Sequence, residues 1–239
     1  MEKKKILVFS GAGVSAESGV ETFRSSGGLW HDHKVKEVAT PDGWKKDREK
    51  VLNFYNARRA QMKTVEPNLA HHIIKELEND FEVMVVTQNV DNLHERAGSS
   101  DIVHLHGELS KSRSTLNPKL VYDCDGDINV GDKCEEGSQL RPHIVWFNEP
   151  LDYGLVNKAC DFADEADICI VVGTSMQVAP ANTIPFMTPE NCLIYYVDPG
   201  ESDFEIPARR SIFFNHIKEN ATTGMEKVKN ELKDIFLED

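Results

Sequence analysis

Near the N-terminus, the apolar run Ile6-Leu7-Val8-Phe9 breaks into Ser10-Gly11-Ala12-Gly13-Val14-Ser15-Ala16-Glu17-Ser18-Gly19. A short apolar run that ends in small residues reads as a buried strand, a tight turn and then a helix. Glycines let the backbone approach a ligand closely, and the first N–H groups of a helix favour negative charge. Gly11, Gly13 and Ala16 fit the G-x-G-x-x-G/A fingerprint of dinucleotide binding. The chain therefore opens on a candidate pyrophosphate cradle, and the remaining sequence must say which chemistry it serves.

Apolar runs of strand length recur at Ile6–Phe9, Val83–Val86, Ile144–Phe147, Ile168–Val172 and Leu193–Val197, with weaker candidates at Ile102–Leu105 and Ile212–Phe214. Several are apolar throughout, as strands covered on both faces should be. Leu69, Ile73 and Leu77 share one helical face; Met225, Val228, Leu232, Ile235 and Phe236 form another, with Thr223-x-x-Glu226 as a capping box. This alternation predicts an α/β fold: a Rossmann-like parallel sheet with helices on both faces. Two excursions break the rhythm, a polar helical one at 27–67 and one rich in Asp, Gly, Asn and Ser at 110–142. They are expected to form a small lobe over a cleft, within a single domain spanning 1–239.

The net charge of −13 disfavours nucleic acid and anionic membrane as partners, since both call for a basic surface. Lys3-Lys4-Lys5 before Ile6 imitates a signal peptide, but the apolar run is too short for one. No run approaches a membrane span. The five cysteines are scattered and suggest no disulfide framework, which fits a cytoplasmic location.

Three strand-like runs end in small polar segments: Thr87-Gln88-Asn89-Val90-Asp91-Asn92, His106-Gly107-Glu108 and Gly173-Thr174-Ser175. Ligands of open parallel sheets bind beyond the carboxyl ends of strands, so these segments and the glycine turn can build one site. A hydride-transfer enzyme would place an acidic residue about twenty positions after the turn, at the end of a second strand. Here Arg24 to Asp32 reads as loop, which argues against that chemistry.

With these segments in view, the chain resembles the sirtuins, a family of NAD-consuming protein-lysine deacylases. The resemblance rests on Gly11–Ser15 through Phe23-Arg24, Thr87-Gln88-Asn89-Val90-Asp91, His104-Leu105-His106-Gly107, Val145-Trp146-Phe147-Asn148-Glu149 and Gly173-Thr174-Ser175, in family order over nearly the whole chain. It implies that NAD is consumed and that acylated lysine side chains of proteins or peptides are the partners. Nicotinamide, free lysine and 2′-O-acyl-ADP-ribose are the implied products. It makes His106 the general base, a task that suits imidazole near neutral pH. Asn89 and Asp91 would orient ribose and nicotinamide, with Gln88 on the ribose and Phe23 and Arg24 at the pyrophosphate and reacting carbon. Gly11, Ala12, Gly13, Ser15, Ala16, Glu17, Gly173, Thr174, Ser175 and Ala221 would complete the NAD site. Val145, Trp146 and Phe147 would pair with the substrate backbone.

Ala39, Tyr55 and Arg58 match sirtuins that remove dicarboxylic acyl groups, since a guanidinium and a phenol can hold a succinyl or malonyl carboxylate. Most sirtuins also carry two Cys-x-x-Cys pairs for a structural zinc. Here Ser114 and Asn117 stand in place of the first pair, and only Cys124 and Cys134 remain. Two thiolates do not complete a tetrahedral site, so a lobe without zinc or other metal is expected. An NAD hydrolase or ADP-ribosyltransferase on the same scaffold is the alternative activity, and a non-catalytic NAD-binding module is a third reading.

Overall fold

The computed structural model describes residues 3–22, 34–200 and 213–237. The chain begins with strand β1 (Lys5–Ser10), one turn of helix α1 (Gly13–Ala16) and then helices α2 (Val35–Val38), α3 (Pro41–Lys46), α4 (Arg48–Met62) and α5 (Leu69–Leu77). It continues through β2 (Glu82–Thr87), α6 (Leu93–Ala97), β3 (Ile102–His104), β4 (Gly107–Ser114), β5 (Val121–Asp123) and β6 (Leu140–Ile144). The last part holds α7 (Tyr153–Asp164), β7 (Ile168–Val172), a 3-10 helix (Ala181–Met187), β8 (Leu193–Val197), β9 (Phe214–Ile217) and α8 (Ala221–Phe236).

The main sheet has the order β3-β2-β1-β7-β8-β9, and every pairing in it is parallel. Counted along this sheet alone, the order is that of the Rossmann fold, with its switch point between β1 and β7. Alternate side chains of the strands enter opposite layers. Ile6, Val8, Val83, Val85, Ile168 and Ile170 pack with Ile73 and Ile74 of α5 and Met225, Val228 and Leu232 of α8. Leu7, Phe9, Met84, Val86, Cys169 and Val171 pack with Ala159 and Ala163 of α7 and Ile184. Burial on both faces explains why these runs are apolar throughout.

Strands β5-β4-β6 form a separate antiparallel sheet. A third apolar cluster joins it to the helices that precede it, gathering Val38, Trp44, Leu52, Phe54 and Tyr55 with Leu109, Ile128, Ile144 and Trp146. Three local expectations are corrected. The run Ile144–Phe147 is not a strand of the main sheet: β6 ends at Ile144 and pairs antiparallel with β4. The last helix starts at Ala221 after Asn220, so Thr223 lies inside its first turn and does not cap it. The weak candidate at Ile212–Phe214 begins outside the described residues, and the observed strand runs onward from Phe214.

Candidate active site

The glycine turn lies at the switch point, where the ends of β1 and β7 are tied together. Gly11 N–H donates to Val172 O at 3.0 Å and Gly13 N–H to Gly173 O at 2.8 Å. A Cβ on Gly13 would sit 2.7 Å from Gly173 Cα, and one on Gly173, whose φ is +64°, would sit 2.2 Å from Val14 N. The glycines thus permit backbone to meet backbone. This refines the sequence reading: two N–H groups of the turn serve the protein's own carbonyls, and α1 is a single turn.

Beyond the turn, Ser15 joins two strand ends. Its hydroxyl donates to Asp91 Oδ2 at 3.1 Å and accepts from Asn89 Nδ2 at 3.2 Å; the same Nδ2 lies 3.2 Å from Gly11 O. Ser15, Asn89 and Asp91 are all buried. Burial raises the Asp91 pKa, against the opposing bonds from Leu93 N–H and Ser15. Gln88 Oε1 accepts from the Thr174 hydroxyl at 2.9 Å, while its buried Nε2 has no partner among the described residues. Ser175 follows, half-buried.

His106 Nδ1 lies 3.0 Å from Gln88 O. A carbonyl only accepts, so Nδ1 carries the proton and Nε2 presents a lone pair. Burial lowers the pKa of His106, against the bond to Gln88, and keeps the ring neutral. The arrangement is that of a base: one nitrogen fixed by the backbone, the other available.

Tyr55 and Trp146 meet in the third apolar cluster, with Arg58 near enough to Tyr55 to act on it electrostatically. Trp146 Nε1 donates to Tyr55 Oη at 3.0 Å, and all three side chains are buried. Ala39 O accepts from Phe147 N–H at 3.0 Å, which ties the small residue to the loop after β6. The N–H groups of Val145 and Trp146 are also engaged, with His106 O and Glu149 Oε2. Backbone pairing of a peptide with Val145, Trp146 and Phe147 would therefore draw on their carbonyls. Phe147 itself is 44% exposed.

Sequence reading missed the groups that fix this loop. Glu149 bonds Arg141 at 2.6 Å and Arg113 at 3.2 Å, and the Arg141 guanidinium lies 3.2 Å from the Trp146 ring centroid. It also missed the setting of Glu17, whose carboxylate accepts from Thr222 N–H and Oγ1 at 2.9 and 2.7 Å. Glu17 thereby caps α8 next to buried Ala221. Ala12 is half-buried and Ala16 exposed, while Phe23 and Arg24 lie outside the described residues.

Where the zinc pairs would stand, Ser114 Oγ accepts from Leu116 and Asn117 N–H and meets Ser138 Oγ at 2.6 Å, which in turn meets Cys134 Sγ at 3.2 Å. Ser114, Ser138 and Cys134 thus form a hydrogen-bonded hub.

The model of the Sir2 family matches residues 11–180, the stretch from the glycine turn past the Gly173 loop. The chain belongs to the Sir2 family. It is 46% identical over 229 residues to an NAD-dependent protein deacylase of Helicobacter pylori strain J99, covering 96% of this chain and 95% of that one. Among solved structures, it superposes on a Sir2 homologue–NAD complex with a TM-score of 0.84 at 35% identity, covering 98% of this chain and 91% of that one. It also superposes on a Sir2 variant complexed with a deacetylated p53 peptide and 3′-O-acetyl ADP-ribose, with a TM-score of 0.79 at 26% identity. That match covers 96% of this chain and 94% of that one. The strand ends that carry Gln88, Asn89, Asp91 and His106 fall inside the segment matched to the Sir2 family. No helix among the described residues is long and apolar enough to cross a membrane.

Proposed function

We propose that this chain is an NAD-dependent protein-lysine deacylase, and that it removes succinyl or malonyl groups as well as acetyl. The observation that carries the reading is His106, neutral and fixed through Nδ1 on the carbonyl of Gln88, whose side chain in turn meets Thr174 after β7. The residues fit NAD: the buried Gln88 Nε2 is a donor in want of an acceptor, and Asn89 and Asp91 converge on Ser15. Bound NAD supplies a ribosyl carbon with nicotinamide as the leaving group.

The chain's own residues do the rest. Asn89 and Asp91 hold ribose and carboxamide in place. His106 Nε2 takes a proton from a ribose hydroxyl as the acyl group moves to it. Gly11, Ala12, Gly13, Ser15, Ala16, Gly173, Thr174 and Ser175 line the dinucleotide. Glu17 acts by fixing α8, which carries Ala221 toward the adenosine side. Phe23 and Arg24, outside the described residues, are assigned to the pyrophosphate and the reacting carbon by the resemblance alone. Val145, Trp146 and Phe147 receive the acyl-lysine peptide, and Ala39, Tyr55 and Arg58 receive a dicarboxylic acyl group.

The reading treats 1–239 as one catalytic domain, with 27–67 and 110–142 as the lobe over the cleft. The Ser114–Ser138–Cys134 hub supports a lobe held without zinc. Five free cysteines support a reducing compartment, the cytoplasm.

The test is nicotinamide release from NAD with acetyl-lysine peptide, succinyl-lysine peptide or neither. Release only in the presence of acyl peptide is expected. Equal release without peptide would make the chain an NAD hydrolase instead.

A further inference from the structure

The strand end that carries His106 carries another histidine two residues earlier, in different surroundings. His104 Nδ1 lies 3.0 Å from Asn89 O, and its Nε2 lies 2.6 Å from Glu95 Oε1 of α6. Both partners only accept, so both ring nitrogens carry protons and the ring is a cation. Burial opposes that charge, but the bond to Glu95 and its negative charge outweigh it, and the pKa of His104 is raised. The two histidines therefore hold successive carbonyls, His106 that of Gln88 and His104 that of Asn89. One is neutral with a nitrogen to spare; the other is charged with none.

We infer that His104 and Glu95 are a positioning pair, which clamps the Asn89 carbonyl and thereby sets the Asn89–Asp91 turn for reaction. The inference rests on the deacylase reading of the site. Asn89 is otherwise held through its side chain, on Gly11 O and Ser15 Oγ, and through its N–H, on Thr87 Oγ1. The clamp adds the third anchor, at the peptide that leads into Asp91. The His104 charge also favours the ionised Asp91 carboxylate, which burial disfavours. A neutral imidazole has one N–H for two acceptors, so losing the proton frees either Asn89 or Glu95.

The groups that face His104 are Glu95 and His94 from α6, Asp91 from the turn, and Glu108 from β4. Lys111 of β4 acts on Glu95. Ligand atoms of Glu95, His104 and Glu108 lie within 4.8 Å of one another. Glu108 is paired with Lys111 at 2.8 Å, however, and neither nitrogen of a cationic His104 has a lone pair for a metal.

The experiment is the pH profile of kcat for the wild-type protein and for Glu95→Gln and Glu95→Asp, with melting temperatures measured alongside. Removing the carboxylate charge lowers the His104 pKa, so the alkaline limb of Glu95→Gln moves to lower pH by about one unit. At a pH above both limbs, its kcat falls about tenfold, while KM for the acyl peptide stays within about twofold. Glu95→Asp, which keeps the charge, holds the limb near its wild-type position. A Glu95→Gln limb that does not move overturns the inference, as does a lower melting temperature with the wild-type profile. Wild-type activity that a chelator abolishes would place a metal ion at the cluster and overturn it too. A wild-type protein that releases no nicotinamide with acyl peptide would instead defeat the deacylase reading itself, which keeps the two failures apart.

Discussion

Tyr55, proposed above to receive a dicarboxylic acyl group, stands in surroundings that leave it one donor. Burial raises its pKa, so the phenol keeps its proton at neutral pH, and Trp146 Nε1 occupies one lone pair of the oxygen. The O–H is left as a donor, with the Arg58 guanidinium close enough to act on it electrostatically. Tyr55→Phe keeps the ring and deletes that donor. Desuccinylation kcat/KM is expected to fall at least about tenfold and deacetylation less than about threefold. Equal losses on both peptides would remove the acyl-pocket reading. At this scale, the segments holding Gln88, Asn89, Asp91 and His106 were legible because each follows an apolar run, where parallel sheets place ligands. The Glu17–Thr222 contact was not, because it joins residues 205 positions apart and neither stands in a recognisable pattern.

Among the elements, the loop after β6 depends on a charge network that the sequence does not advertise. Glu149 accepts from Arg141, Arg113 and Trp146 N–H, and these bonds hold its pKa low although burial acts the other way. Glu149→Gln would leave two guanidinium groups without their shared anion. It is expected to destabilise the protein by about 2 kcal/mol, roughly a 6 °C fall in melting temperature, and to raise peptide KM more than it lowers kcat. Wild-type melting temperature and KM would show that the network does not fix the loop. Strands β4 and β6 escaped the sequence reading for a physical reason. Their buried positions include the polar Ser112, Ser114 and Arg141, the last two hydrogen-bonded to Ser138 Oγ and Ile144 O, so apolar alternation is weak there. The start of α8 was misplaced because its first turn is capped by Glu17, just after α1, rather than by its own side chains.

At the level of the whole molecule, the Rossmann order was legible because strands such as Ile168–Val172 are covered on both faces and read as unbroken apolar runs. The same burial encloses two histidines. His71 and His94 meet edge to face at 4.9 Å, and burial lowers both pKa values, that of His71 to about 4. Unfolding restores the ordinary value, so the unfolded chain binds more protons below about pH 6.5 and stability falls as pH drops. For His71 alone, the loss by pH 5.5 is about 1.4 kcal/mol. Melting temperature is expected to decline between about pH 7 and pH 5, and less steeply in His71→Asn; identical slopes would show that His71 is not the group responsible.

The switch point and the His106 base make a single claim: NAD cleavage and acyl transfer are coupled one to one in the same reaction. The direct measurement counts nicotinamide released and lysine freed from a succinyl- or acetyl-lysine peptide in one reaction, for the wild-type protein and for His106→Ala. Equimolar amounts from the wild type, and no freed lysine from a His106→Ala protein that still binds NAD, are expected. Nicotinamide in excess of freed lysine, or full deacylation by His106→Ala, would contradict the account.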